Sequence, residues 1–199
     1  MKLITQKGRK LVSSNQVFDI FYDHIQEPSG LEIENYLVVS PKHKTAEGIT
    51  GVAILPYSRN AGGDVTLSLI EIYRHATQKT LLEIPRGFVD TDELVEKAAL
   101  RELYEETGLA CPLKNLTHLF TLYPEPGVIS GRVAVFSAET NLDPVTTVPN
   151  LEFGLGLRLK KNISEALDMI ASGKIEDNTT IAAIQAMALR SVKPNTSSF

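Results

Sequence analysis

Val65, Leu67 and Leu69 alternate with Thr66 and Ser68, the period of a strand with one buried face. The apolar phase then switches to Ile70 and Ile72 around Glu71, which requires either a bulge or burial on both faces. Upstream, Gln16–Gln26 and Leu31–Ser40 are rich in Val, Phe, Ile and Tyr, and Glu27-Pro-Ser-Gly30 between them has turn composition. That pattern predicts an N-terminal β-hairpin. Lys42–Glu47 is a charged loop, Gly51–Tyr57 an apolar strand, Asn60–Asp64 a turn, and Leu81–Pro85 a short strand leading to Gly87.

Asp90 and Glu93 have capping-box spacing, with Asp in the hydroxyl role, so a helix is predicted from near Asp90 to about Thr107, ended by Gly108. His118–Tyr123 and Arg132–Ala138 follow as strands, split by Pro124-Glu-Pro-Gly127. Leu151, Phe153, Leu155, Leu157 and Leu159 alternate strictly with Glu152, Gly154, Gly156, Arg158 and Lys160, which predicts a strand with one buried face. Two helices close the chain, Ile163–Ser172 stopping at Gly173 and a second from Asp177 or Asn178 to near Arg190. Strands first, one central helix and two terminal helices imply an α/β or α+β domain, a mixed sheet between helices.

The chemistry concentrates in the central helix. Glu102, Glu105 and Glu106 stand three and four apart, so they share one side of it, and they sit near its C-terminal end, where the dipole disfavours anions. Acids placed against both repulsion and dipole imply a cation. Hard divalent ions such as Mg²⁺ take carboxylate oxygens and share them with phosphate. At about 100° per residue, Val95 and Ala98 project to the same side, as an inward face would. The plain alternative is a solvated acidic face with Arg101 and Glu105 as an i, i+4 ion pair.

At 199 residues the chain has the length of one domain with room for a short N-terminal unit. A net charge of −4 gives no support for a basic nucleic-acid surface. The single cysteine, Cys111, allows no intrachain disulfide, which fits a reducing compartment. No apolar run approaches a bilayer span, and the first residues lack a signal-peptide stretch. The expectation is a cytoplasmic protein. His24, His43, His75 and His118 are scattered without metal-ligand spacing.

Gly87, Glu93, Arg101, Glu102, Leu103, Glu105, Glu106, Gly108 and Leu109 fill every slot of a pattern that resembles the Nudix hydrolase box. Three further stretches resemble the ADP-ribose pyrophosphatase branch of that family: Glu71-Ile-Tyr-Arg74, Leu82-Glu-Ile-Pro-Arg-Gly87, and Ser172–Asp177 with Thr179-Thr-Ile. Tyr123-Pro-Glu-Pro-Gly127 sits where that branch has a Pro-Gly loop. The likeness runs from about Gln16 to Arg190. It implies an α/β/α sandwich with a mixed β-sheet and an N-terminal β-hairpin subdomain, divided as residues 1–45, a hydrolase domain over 46–193 and a flexible tail over 194–199.

The resemblance also implies roles. Glu102 and Glu106 would be direct ligands of Mg²⁺, or of Mn²⁺, with Glu105 joining in some metal-loaded states and the Arg86 carbonyl completing the shell. Arg101 would hold the glutamates in orientation. Glu93 would brace the loop before the helix or cap it. Arg74 would clamp phosphate or ribose with its planar donor fork. Glu83, Gly87, Pro126 and Gly127 would contact substrate. Relatives place the general base in an acid-rich loop before the last strand; here only Glu152 remains, so Glu152 is the candidate, alongside its reading as the polar face of a strand. The implied reaction is hydrolysis of ADP-ribose or a related nucleoside diphosphate sugar. The alternatives are hydrolysis of another nucleoside diphosphate derivative, such as a dinucleotide cofactor, and a nucleotide sensor without turnover. Relatives are commonly homodimers through their N-terminal strands. The chain departs from the branch at Ile72, at Val128–Arg132 and at Arg86, which replaces a small residue.

Overall fold

A computed structural model describes residues 3–146 and 153–192. The expected tail over 194–199 and the candidate base Glu152 lie outside the described residues. The chain order is β1 (Thr5–Ser14), β2 (Phe18–Gln26), β3 (Glu32–Pro41), β4 (Ile49–Arg59), β5 (Val65–Arg74), β6 (Lys79–Glu83), β7 (Arg86–Phe88), α1 (Val95–Thr107), β8 (Leu116–Leu122), β9 (Arg132–Glu139), β10 (Leu155–Asn162), α2 (Ile163–Ala171) and α3 (Asn178–Val192). The expected sandwich is present: a mixed sheet in the order β10-β5-β4-β9-β8, with β6 paired to β5 and β7 to β4, lies between helices. Among the described residues its parallel pair is β4 and β9, with β4 at the centre.

Burial on both faces explains why β4 reads as a continuous apolar run. Val52 and Ile54 pack with Ala98, Ala99 and Leu103 of α1, while Ala53 and Leu55 pack with Ala166 of α2 and Ala183, Ile184 and Met187 of α3. The same condition resolves the phase switch in β5. Its register is unbroken against β4 and β6, and Ser68, Leu69 and Ile70 are all buried, so the strand is covered on both faces and has no bulge.

The irregularity lies in the partner strand. Leu155 faces Ile72 and Arg158 faces Ile70, three steps against two, so the register of β10 shifts there. The strict alternation therefore does not give one buried face. Leu157 is exposed, as is Phe153 in the turn before the strand.

The predicted hairpin is present as β2 and β3, and a third strand not foreseen, β1, pairs along β2. β1 was illegible because all ten of its residues are exposed and it carries no apolar period. Side chains add to its backbone pairing: Arg9 donates to both oxygens of Asp23 at 2.7 Å and stacks over Phe21, 4.7 Å from the ring centroid. This sheet meets the domain where Val39 bridges to Ile129, so the loop after β8 is pinned to β3. Tyr36 adds a 2.7 Å hydrogen bond to the Gly127 carbonyl.

Candidate active site

The central helix begins at Val95, later than its capping-box signal. Asp90 and Glu93 do bond, Asp90 N–H to Glu93 Oε2 at 3.1 Å, but they close a turn ahead of the helix. Arg101 also binds both oxygens of Glu93, at 3.0 and 2.9 Å. Leu94 is left at the cap position, with no side-chain cap. Gly108 ends the helix as expected: its φ of 69° is the left-handed conformation, and its N–H returns to the Tyr104 carbonyl.

Helical spacing puts the box acids in different surroundings. Glu106 is buried, and its Oε2 accepts a 3.0 Å hydrogen bond from the Arg86 amide. Glu102, with a side chain 12% exposed, lies beside Gly87, where a Cβ would overlap its carboxylate. This packing is the local need for glycine at position 87. Glu105 is 51% exposed on the outer flank. Arg101 reaches Glu102 at 2.7 Å, Glu105 at 3.1 Å and the Phe88 carbonyl at 3.0 Å, besides Glu93. Its guanidinium is held well above its ordinary pKa range, first by the hydrogen bond with Glu93, and Glu93 is lowered by the same bond. The i, i+4 pair with Glu105 thus exists, but as one arm of a buried-side brace.

A cleft of 670 Å³ runs past this helix. Glu102, Gly87, Arg74 and Arg86 line its charged part, and Phe18, Phe88, Pro41, Pro124 and Ile129 its apolar part. Phe18 comes from the N-terminal sheet and meets Phe88 edge-to-face at 5.6 Å. Of the expected Pro-Gly loop, Pro124 and Ile129 line the cleft; Pro126 and Gly127 are exposed beyond it.

Glu83 is wholly buried and receives both arginines: Arg74 through two hydrogen bonds at 3.0 and 2.8 Å, and Arg86 at 2.5 Å. It acts on the cleft through them. Arg86 also pairs with Asp177 at 3.1 Å, and Asp177 accepts the Thr180 N–H and hydroxyl at 2.8 and 2.7 Å at the start of α3. The side chain of Arg86, Asp177 and the two phenylalanines were not singled out from sequence as site residues. The departure at Arg86 and the acid of the Gly-x-Ile-x-Asp stretch were the signals available.

Among the described residues no three His, Cys, Asp or Glu side chains are gathered closely enough to hold a metal ion as they stand. Arg101 binds Glu102 and Glu105, and the Arg86 amide binds Glu106. The donors themselves are the kind a hard divalent cation takes, and Glu102 carries them to the cleft wall.

The fold and this helix define a pyrophosphohydrolase-type site, and the comparisons agree. The NUDIX domain model matches residues 50–151. ADP-ribose pyrophosphatase of Bacillus subtilis (strain 168) is 27% identical over 194 residues, covering 96% of each chain. GDP-mannose pyrophosphatase of Yersinia pestis (strain Pestoides F) is 33% identical over 142 residues, covering 68% of this chain and 69% of its own. The crystal structure of an ADP compounds hydrolase superposes with a TM-score of 0.71 at 19% identity, over 94% of this chain and 93% of the other, which speaks for the fold. The chain belongs to the Nudix family and, with its box complete, is a Nudix pyrophosphohydrolase in class. No helix among the described residues is long and apolar enough to cross a membrane.

Proposed function

We propose that the protein hydrolyses the diphosphate bond of ADP-ribose or a closely related nucleoside diphosphate sugar, giving a nucleoside monophosphate and a sugar phosphate, with Mg²⁺ or Mn²⁺. The observation that carries this is the cleft: one cavity joins a box glutamate, two arginines and an edge-to-face phenylalanine pair. Its charged part suits a diphosphate and its apolar part a nucleobase. The similarity to an ADP-ribose pyrophosphatase over nearly the whole chain favours that substrate, and the similarity to a GDP-mannose pyrophosphatase keeps nucleotide sugars in the same class.

Glu102 and Glu106 would hold the cation, with Glu105 joining from the exposed flank and the Arg86 carbonyl as a further oxygen. When bound, such an ion neutralises phosphate charge and lowers the pKa of water. The chain's own part is positional. Arg101 fixes Glu93, Glu102 and Glu105 relative to the Phe88 carbonyl. The Arg86 amide fixes Glu106. Arg74 presents its guanidinium to the cleft with the buried Glu83 behind it. Glu152 stays the proposed general base.

The reading includes a cytoplasmic homodimer. Tyr22 and Leu37, paired on one face of the N-terminal sheet, are exposed, as are Leu11 and Ile33 on the other, apolar positions that a second copy would cover. Sedimentation should give twice the chain mass, and truncation before Asn15 should shift it towards monomer. The substrate is tested by product analysis on ADP-ribose beside UDP-, GDP- and ADP-sugars and dinucleotides. AMP and ribose 5-phosphate are expected; turnover of another member alone moves the substrate.

A further inference from the structure

We propose that the Arg86 guanidinium is a second anion-binding group of the cleft, acting beside Arg74 on the two phosphoryl groups of a diphosphate, and that it sets this chain's preference for such substrates. The inference rests on the proposed hydrolase reading and adds a residue to it.

Both guanidiniums line the same cavity, with side chains 29% and 28% exposed, while the carboxylates that hold them lie behind, Glu83 at 0% and Asp177 at 8%. The two guanidiniums therefore face the cavity with Glu83 and Asp177 behind them, and Glu102 and Asp90 are the carboxylates in the cavity's own lining. Glu83 is already bound by both ends of the Arg74 fork, so Arg86 is a second arginine on that acid. Asp177 gives Oδ2 to the Thr180 amide and hydroxyl and Oδ1 to Arg86.

The two carboxylates fix the direction of the Arg86 fork, one at each terminal nitrogen, and a guanidinium has more N–H groups than these bonds use. A fork held in place before the ligand arrives loses little entropy on binding. Thr179, in the first turn of α3, lines the same cavity. The opposite side of the Arg86 residue also touches the site, since its amide holds Glu106.

The test compares wild type with Arg86→Ala, Arg86→Gln and Arg86→Lys. Calorimetry measures affinity for a methylene-bridged, non-hydrolysable ADP-ribose analogue, and KM and kcat are taken on ADP-ribose with Mg²⁺. The expected result is an affinity for the analogue lower by about tenfold or more in Arg86→Ala and Arg86→Gln, with KM raised to match and kcat changed far less. Arg86→Lys should recover part of the loss, because charge returns without the fork. Thermal melting is measured on each variant, and Arg86→Lys carries the test if the neutral variants do not fold. Unchanged affinity in folded neutral variants, or full affinity in a lysine variant that alone folds, overturns this inference and leaves the hydrolase reading standing. A wild-type protein that neither binds the analogue nor turns over any nucleotide of the panel overturns both.

Discussion

The carboxylate of Glu102 lies where any side chain at position 87 would begin, so the glycine that opens the box and the first glutamate of its helix occupy complementary space. Replacing Gly87 by alanine would push aside the far end of a flexible side chain and leave the backbone little disturbed. Gly87→Ala should therefore change stability by no more than about 1 kcal/mol while lowering kcat on the order of a hundredfold, because a displacement near 1 Å is enough to misplace a reacting group. Denaturant melts beside steady-state rates check it; equal losses of stability and activity would count against the packing argument.

Arg101 binds three acids and a carbonyl, so its removal should act on the site as a whole. Arg101→Ala is expected to weaken metal affinity and kcat/KM by about 10- to 100-fold. Arg101→Lys should rescue little, since an ammonium cannot reproduce a planar fork. Calorimetric Mn²⁺ titration of the three proteins separates a weaker metal site from slower chemistry.

Glu83 is the buried counter-charge of both cleft arginines. Glu83→Ala leaves two guanidiniums without it, and because each is partly exposed the cost is set below that of a sealed pair, at about 2 kcal/mol. Urea unfolding measures this. A melt indistinguishable from wild type would mean the arginines are solvated and the pairing contributes nothing.

The N-terminal sheet has its own pH dependence. The hydrogen bond from Arg9 holds the Asp23 carboxyl below the usual range. A carboxylate with a depressed folded-state pKa stabilises at pH values above its unfolded pKa, about 3.9, and that stabilisation is lost as pH falls through the folded value. Hydrogen exchange should show β1 amides losing protection over that acid window, and already unprotected at neutral pH in Arg9→Ala, with β4 and β9 unaffected.

What the sequence showed followed burial. Strands covered on one or both faces, β4, β5 and β9, could be read from apolar spacing because packing selects those residues. β1 could not, since its ten exposed residues answer only to backbone pairing and the Arg9–Asp23 bond. β10 misled because a register shift, invisible in composition, exposes Leu157. The helix start misled because Asp90 and Glu93 bond as expected but close a turn that ends before the helix begins at Val95. Spacing put Glu102 and Glu106 on the inner side of the helix, where they are, but also Glu105, which is 51% exposed. The pairing of Arg86 with Glu83 and Asp177 was not legible, because it depends on α3 returning to the cleft from the far end of the chain.

The central claim, a metal-dependent diphosphate hydrolase built on Glu102 and Glu106, is tested most directly by following products from ADP-ribose with Mg²⁺, with excess EDTA, and with Glu106→Gln. The account predicts AMP and ribose 5-phosphate from the wild type with metal, none with EDTA, and a rate lower by at least about a hundredfold in Glu106→Gln. Hydrolysis that survives EDTA or keeps its full rate in Glu106→Gln would contradict it.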